Sequence, residues 1–355
     1  MSARELLWSR LRQAALVQGE LPPRDQRASP WYVRLMLGIA GWIGAFFLLS
    51  FVGVGLALVA RSGAAQITLG VLACGAATMM FRAAKSDFFT QFALAISLAG
   101  QVLMAMGLGE LLHPWERSWQ PLAALIAIQQ AVLFLLVPNY IHRVWTAWSA
   151  SYAVLMALGE GFMHFAPALA AAAFIGLWLR EFQYPRQASM VRAAGYGLAI
   201  TTLQCAVLSG SLAQALIWGA GFDASGARQP WWWVNGATAG AVLLLGVVAL
   251  VRREGLSLGA GPAKSALAGA LVIAAASIKA PGLAPATAIL VVGYANGNRL
   301  LAGLGALALL AYLSHYYYAL QATLLEKSAL LAAAGAAVLL ARFALQHWWP
   351  EAERA

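Results

Sequence analysis

Gln101, Gln129, Gln130, Gln204 and Gln214 are carboxamides set within long apolar stretches, and they are the groups of this chain best placed to do something other than pack. An amide in an apolar medium costs about 2 kcal/mol or more unless it finds a partner. Between membrane helices such partners contribute about 0.6 kcal/mol, seldom more than about 2. Interhelical glue is therefore the reading favoured for these amides. The alternative is a polar pathway lined by Gln101, Gln129 and Gln204, with Lys279 as its cation. Lys279 stands beside Pro281 at the end of an Ala-rich stretch, where a long side chain reaches the interface by snorkelling more readily than it enters a cavity.

Familiar catalytic spacings are missing. There is no P-loop, no His-Glu-x-x-His and no paired-Cys site; Cys74 and Cys205 both sit in apolar runs. Gly255-Leu256-Ser257-Leu258-Gly259 matches the Gly-x-Ser-x-Gly pattern in letters. It follows Arg252-Arg253 without the strand-turn-helix context of a nucleophile elbow, so it reads as a loop. Gly293 to Asn298 has the glycines of a phosphate loop but no Lys, and reads as a helix cap and turn. His164 with Glu160, and Glu110 with His113 and Glu116, are too few or too irregularly spaced to form a ligand set. The expectation is a protein that is not an enzyme and uses no cofactor or metal.

The elements that must hold these groups follow from composition. The 355 residues are 62% apolar and only 10% charged, whereas about a quarter of the residues are charged in soluble domains. A helix needs about 20 apolar residues to cross a bilayer core. Apolar stretches at 34–60, 63–81, 88–109, 121–138, 144–159, 162–179, 193–220, 232–251, 264–280, 282–297, 300–318 and 328–346 predict an all-α, polytopic transmembrane helix bundle of about 12 spans, within a range of 10–12. Residues 1–30 read as a cytoplasmic amphipathic helix and linker, 31–347 as the bundle and 348–355 as a cytoplasmic tail.

Basic loops stay cytoplasmic. With the N-terminus inside, only Arg61, Arg117, Arg228, Lys279 and Lys327 of the 23 Lys and Arg fall on the far side. The expected location is a bacterial inner membrane with both termini cytoplasmic. That topology, rather than nucleic acid, accounts for the net charge of +10. Small residues concentrated at Ala60–Ala77, Gly161–Gly176, Gly236–Gly240 and Gly303–Gly305 mark expected close-packing faces.

Two groups of segments carry a resemblance. One is Pro30-Trp31-Tyr32-Val33-Arg34-Leu35 leading into Gly41-Trp42; the other runs from Gly293-Tyr294 through Gly297-Asn298-Arg299-Leu300 to Tyr316-Tyr317-Tyr318-Ala319-Leu320 and Leu324-Leu325-Glu326-Lys327-Ser328. They resemble the bacterial membrane-protein family called domain of unknown function 4401, over about residues 28 to 346. The resemblance implies a partner: a small membrane-anchored protein with a GDYxxLxY motif, which this chain lacks. It implies no catalytic residue. The phenols and ammonium of Tyr317, Tyr318 and Lys327 would converge on one outer rim and form a docking surface for that partner. The leading expectation is a scaffold or partner subunit of an envelope complex, with a secondary transporter or exporter of a small molecule as the alternative.

Overall fold

The computed structural model describes residues 3–15, 17–21, 36, 39–44, 46–47, 62–83, 86–113, 118–208, 232–280, 282–319, 325, 328 and 343. Among these residues every regular element is helical. The first, α1 (Ala3–Gln13), ends in a turn at Ala15, whose φ of 55° stops the helix. Then come α2 (Gly63–Ala83), α3 (Asp87–Leu112), α4 (Gln120–Leu136), α5 (Tyr140–Ala157), α6 (Ala166–Leu179), α7 (Ala188–Leu208), α8 (Trp232–Arg253), α9 (Gly261–Ser277), α10 (Leu283–Ala295) and α11 (Arg299–Ala319). A single turn, Glu160–Met163, separates α5 from α6.

The helices fall close to the apolar stretches, but the count of about 12 spans is not supported. Four helices among the described residues are long and apolar enough to cross a bilayer: α2, α3, α7 with its preceding turn, and α8. Helices α4, α6, α9, α10 and the apolar part of α11 are shorter. Proline sets several of these ends, because it has no N–H to give and suits only the first turn of a helix. Pro167 and Pro262 stand there in α6 and α9. Most of the stretch at 34–60, and all of 328–346 but Ser328 and Phe343, lies outside the described residues.

Hairpin neighbours pack in pairs, α2 with α3, α4 with α5, α8 with α9 and α10 with α11. In the middle of the chain the order changes. Helix α5 packs on α7, and α7 on α6, which leads across to α8 and α10. Phe174, Trp178, Leu243, Ile289 and Leu301 form the central apolar core of that second half.

Small residues explain how closely the backbones approach. A Cβ on Gly70 would lie 2.6 Å from the Gly100 carbonyl oxygen, and one on Gly107 would lie 2.5 Å from that of Gly63. Gly236 and Gly240 meet Ser277 and Ala274 in the same way, and Gly305 meets Leu290. Among the described residues nothing stands close to Gly161, Gly176 or Gly303, and the patch from 161 to 176 packs instead through Ala166, Ala168, Ala170 and Ala171, which are buried. Outward faces carry Leu72, Val102, Ile128, Leu245, Val272 and Leu307, all exposed. Such a surface suits lipid better than water.

The charged ends of the helices are tied together by polar contacts. Arg192 at the start of α7 pairs with Glu181 at 2.6 Å, and Glu181 is only 5% exposed. Arg253 donates to Asn296 Oδ1 at 2.7 Å, and Asn296 donates to the Trp178 carbonyl at 3.2 Å. Asn298 accepts from Tyr196 Oη at 3.0 Å and caps α11 through the Leu301 N–H at 3.1 Å. Gly297 takes the left-handed φ of 64° that ends α10, and the Asn298 N–H reaches back to the Gly293 carbonyl at 2.8 Å. The Gly-rich segment from 293 to 298 is thus a helix cap and turn that ties α6, α7, α8, α10 and α11.

Candidate functional site

Helix α5 begins where Pro138 and Asn139 start a new turn: Asn139 Oδ1 accepts the backbone N–H of His142 at 3.0 Å. That cap places His142 on the inner face of the helix. Trp145, Ser149 and Tyr152 follow it at helical spacing along one side. Opposite, near the middle of α3, Ser97 and Gln101 share a face because they are four residues apart. Gln130 approaches from α4.

These side chains make one buried network. Ser97 and His142 are fully buried, and Gln101 and Gln130 are 4% and 5% exposed. Ser97 Oγ lies 2.8 Å from His142 Nε2, and Gln101 Nε2 lies 3.2 Å from Ser97 Oγ and 3.3 Å from His142 Nε2. On its other side Gln101 Oε1 accepts from Gln130 Nε2 at 3.0 Å and from Trp145 Nε1 at 3.1 Å.

The donor inventory decides the orientation of each group. An indole N–H only donates, so Oε1 of Gln101 faces Trp145 and Nε2 faces Ser97 and His142. An amide N–H also only donates, which makes His142 Nε2 the acceptor. The ring is therefore neutral with its proton on Nδ1. Ser97 accepts from Gln101 and gives its own hydrogen to His142 in the shorter of the two bonds. His142 Nδ1 and Gln130 Oε1 are buried without a hydrogen-bond partner. Phe81 stands edge-to-face on the imidazole at 5.6 Å.

A second indole extends the seam to α7. Trp148 packs edge-to-face on Trp145 at 4.9 Å and donates to Gln204 Oε1 at 2.6 Å. One turn along, Ser151 and Thr201 share a hydrogen bond of 2.6 Å. Trp119, Ile126, Trp148, Tyr152, Met156 and Gln204 are among the residues lining a cavity of about 290 Å³ between α4, α5 and α7, and none of its lining residues is charged. Positions equally far from the short α4–α5 connection lie at equal depth in that antiparallel pair. Ile126, ten residues before Leu136, is therefore level with Ala150, ten after Tyr140, and Gln130 is level with Thr146, one turn nearer the connection.

The residues singled out from the sequence are thus distributed unevenly. Gln101 sits at the centre of the network and Gln204 joins its far side. Gln129 has both amide atoms buried without a partner among the described residues. Lys279 is exposed in the turn between α9 and α10, apart from the glutamines. Tyr317 and Tyr318 fall in the last turn of α11, while their side chains, Lys327 and Gln214 lie outside the described residues. Glu110 accepts from Gln66 at 3.3 Å. Among the described residues no group of three or more His, Cys, Asp or Glu is placed to hold a metal.

Sequence reasoning passed over His142 and Ser97, and it reads Trp145 and Trp148 only as interfacial rings at a span end. The expected span began at 144, which left His142 in a loop beside Arg143. Two signals were available: Ser97 and Gln101 four apart within an apolar run, and polar or aromatic residues recurring on one side of α5 from position 142.

Comparison with known proteins adds one finding. Residues 30–347 match the family described as Domain of unknown function (DUF4401). No curated protein and no solved structure matches the chain.

Proposed function

Because the chain belongs to the DUF4401 family, whose description assigns no activity, its function must come from the geometry, and we propose a membrane carrier for a small uncharged solute. The observation that carries this reading is the buried polar cluster of Ser97, Gln101, Gln130 and His142, bonded to the outer-lying Trp145 and extended through Trp148 to Gln204. An ionisable group inside a membrane bundle marks a substrate path by default, and His142 is such a group; the amides bonded around it then line that path as well as join helices. A seam of amides, a hydroxyl and a neutral imidazole offers hydrogen bonds in both directions and no fixed charge. It suits an uncharged solute. No catalytic step is assigned.

In this reading the protein sits in a bacterial inner membrane with both termini cytoplasmic. Support comes from the basic residues Arg180, Arg192, Arg253 and Arg299, which gather where the ends of α6, α7, α8, α10 and α11 are tied together. The scaffold reading, with a GDYxxLxY protein docked on Tyr317, Tyr318 and Lys327, rests on the resemblance. The carrier reading is preferred because its residues meet.

The test is flux of uncharged polyols and amides into proteoliposomes, measured for the natural protein and for Gln101→Leu. Flux that exceeds that of empty liposomes and falls about tenfold or more in the variant, a barrier change of about 1.4 kcal/mol, supports the carrier. Absence of flux, together with capture of a GDYxxLxY protein that is lost in Tyr317→Ala with Lys327→Ala, would replace it with the scaffold.

A further inference from the structure

The cavity between α4, α5 and α7 has features that the seam alone does not explain. Its wall is aromatic and aliphatic, its lining includes no charged side chain, and its volume of about 290 Å³ is near the lower end of pockets that take small molecules. One carboxamide, that of Gln204, stands in the wall, with Oε1 held by the Trp148 indole. An uncharged wall disfavours an ion, because a charge brought there would lose its water without gaining a counter-charge. A wholly apolar guest would leave the amide unused. The Ser149 hydroxyl and the Tyr152 phenol also belong to the lining.

We infer that this cavity is a binding site for an uncharged, membrane-soluble alcohol, with its apolar body against Trp119, Ile126, Tyr152 and Met156 and its hydroxyl on the Gln204 amide. A hydroxyl fits because it accepts from Gln204 Nε2 and still carries a hydrogen to donate to the hydroxyl of Ser149 or Tyr152, which line the same cavity. A carboxylate lacks that hydrogen and brings a charge. An alkane has neither function. Trp119, 39% exposed, stands at the rim where such a molecule enters from the bilayer. The site deepens the carrier reading by naming a ligand class, but it stands without transport.

The experiment uses the full chain in nanodiscs with a diazirine-bearing long-chain alcohol, read by peptide mass spectrometry after illumination. Label on peptides containing Trp119, Tyr152 or Met156, competed by unlabelled alcohol about fivefold more strongly than by the matching alkane or carboxylic acid, supports the site. Ile126→Trp, which fills the cavity, should abolish the label. Ala153→Leu narrows the same space with less disturbance and should reduce it. Gln204→Leu should weaken competition by the alcohol about fivefold, the loss of one hydrogen bond, and bring it level with the alkane. Label that persists in Ile126→Trp and Ala153→Leu overturns the proposal. So does an acyl-chain-labelled phospholipid that occupies these residues and is not displaced by the alcohol, since the occupant is then bilayer lipid. Labelling without solute flux would sink the carrier and leave this site standing, and flux without labelling would do the reverse.

Discussion

Replacing Gln101 with leucine should destabilise the bundle by about 3 kcal/mol, whereas the same change at Gln129 should be neutral or stabilise it by about 1 kcal/mol. Both residues are glutamines in apolar helices, and leucine nearly preserves their volume, so packing does not separate them. Hydrogen bonding does. Gln101 contacts Ser97 and His142 through Nε2 and accepts from Gln130 and Trp145 through Oε1. At about 0.6 kcal/mol for each bond the loss is about 2 kcal/mol. The Gln130 amide is then left in the core without an acceptor, which adds about 1 kcal/mol, whereas the Trp145 indole belongs to a residue 37% exposed. Ser97 and His142 keep each other. Gln129 has no such partners to lose, and its two amide atoms already bear the cost of burial. The assay is reversible unfolding in bicelles by steric trapping, with both variants and a Gln101→Leu, His142→Phe double-mutant cycle. A coupling near zero in that cycle, or equal destabilisation by the two leucines, would refute the network as described.

Three further outcomes follow from the geometry. Nitrogen NMR of protein labelled at histidine should find the His142 proton on Nδ1 with Nε2 unprotonated, and Trp145→Phe should remove that preference by freeing the Gln101 amide to turn; a proton on Nε2 in the natural protein would contradict the donor argument. Gly70→Val should separate α2 from α3 and lower the thermal unfolding temperature in detergent, whereas Gly75→Ala, which meets open space, should leave it within a degree or so or raise it through helix propensity; equal losses would deny the close approach. Arg192→Gln should cost about 1 kcal/mol at low salt, because it leaves Glu181 buried without its cation while Arg192 itself is 53% exposed; a loss unchanged by salt would assign the effect to packing instead.

Much of the helix placement was legible because hydropathy is a local property. Expected stretches at 63–81, 88–109 and 300–318 became helices Gly63–Ala83, Asp87–Leu112 and Arg299–Ala319. The cap at Gly297 and Asn298 was legible for the same reason, since a glycine after a helix and an Asn before the next act within a few residues. Span length was less secure. An apolar run continues past the point where a proline or a tight turn ends the helix, as at Glu160–Met163 before α6. The burial of Glu181 at the rim was not legible, because it depends on Arg192, eleven positions on, folding back to it.

The sequence by itself determined the apolar character, the helices and the scarcity of polar groups within them, because each depends on composition and on near neighbours. Only the tertiary structure decided which polar groups meet. Gln101, Gln129, Gln204 and Lys279 were equivalent candidates on the page, yet one is saturated by four partners, one has none, one is held by an indole across α5, and one is exposed in a turn. The cause is the packing of α5 against α7 rather than against its successor α6. A hydrogen bond depends on distances between residues 44 and 56 positions apart, and no local pattern carries that information.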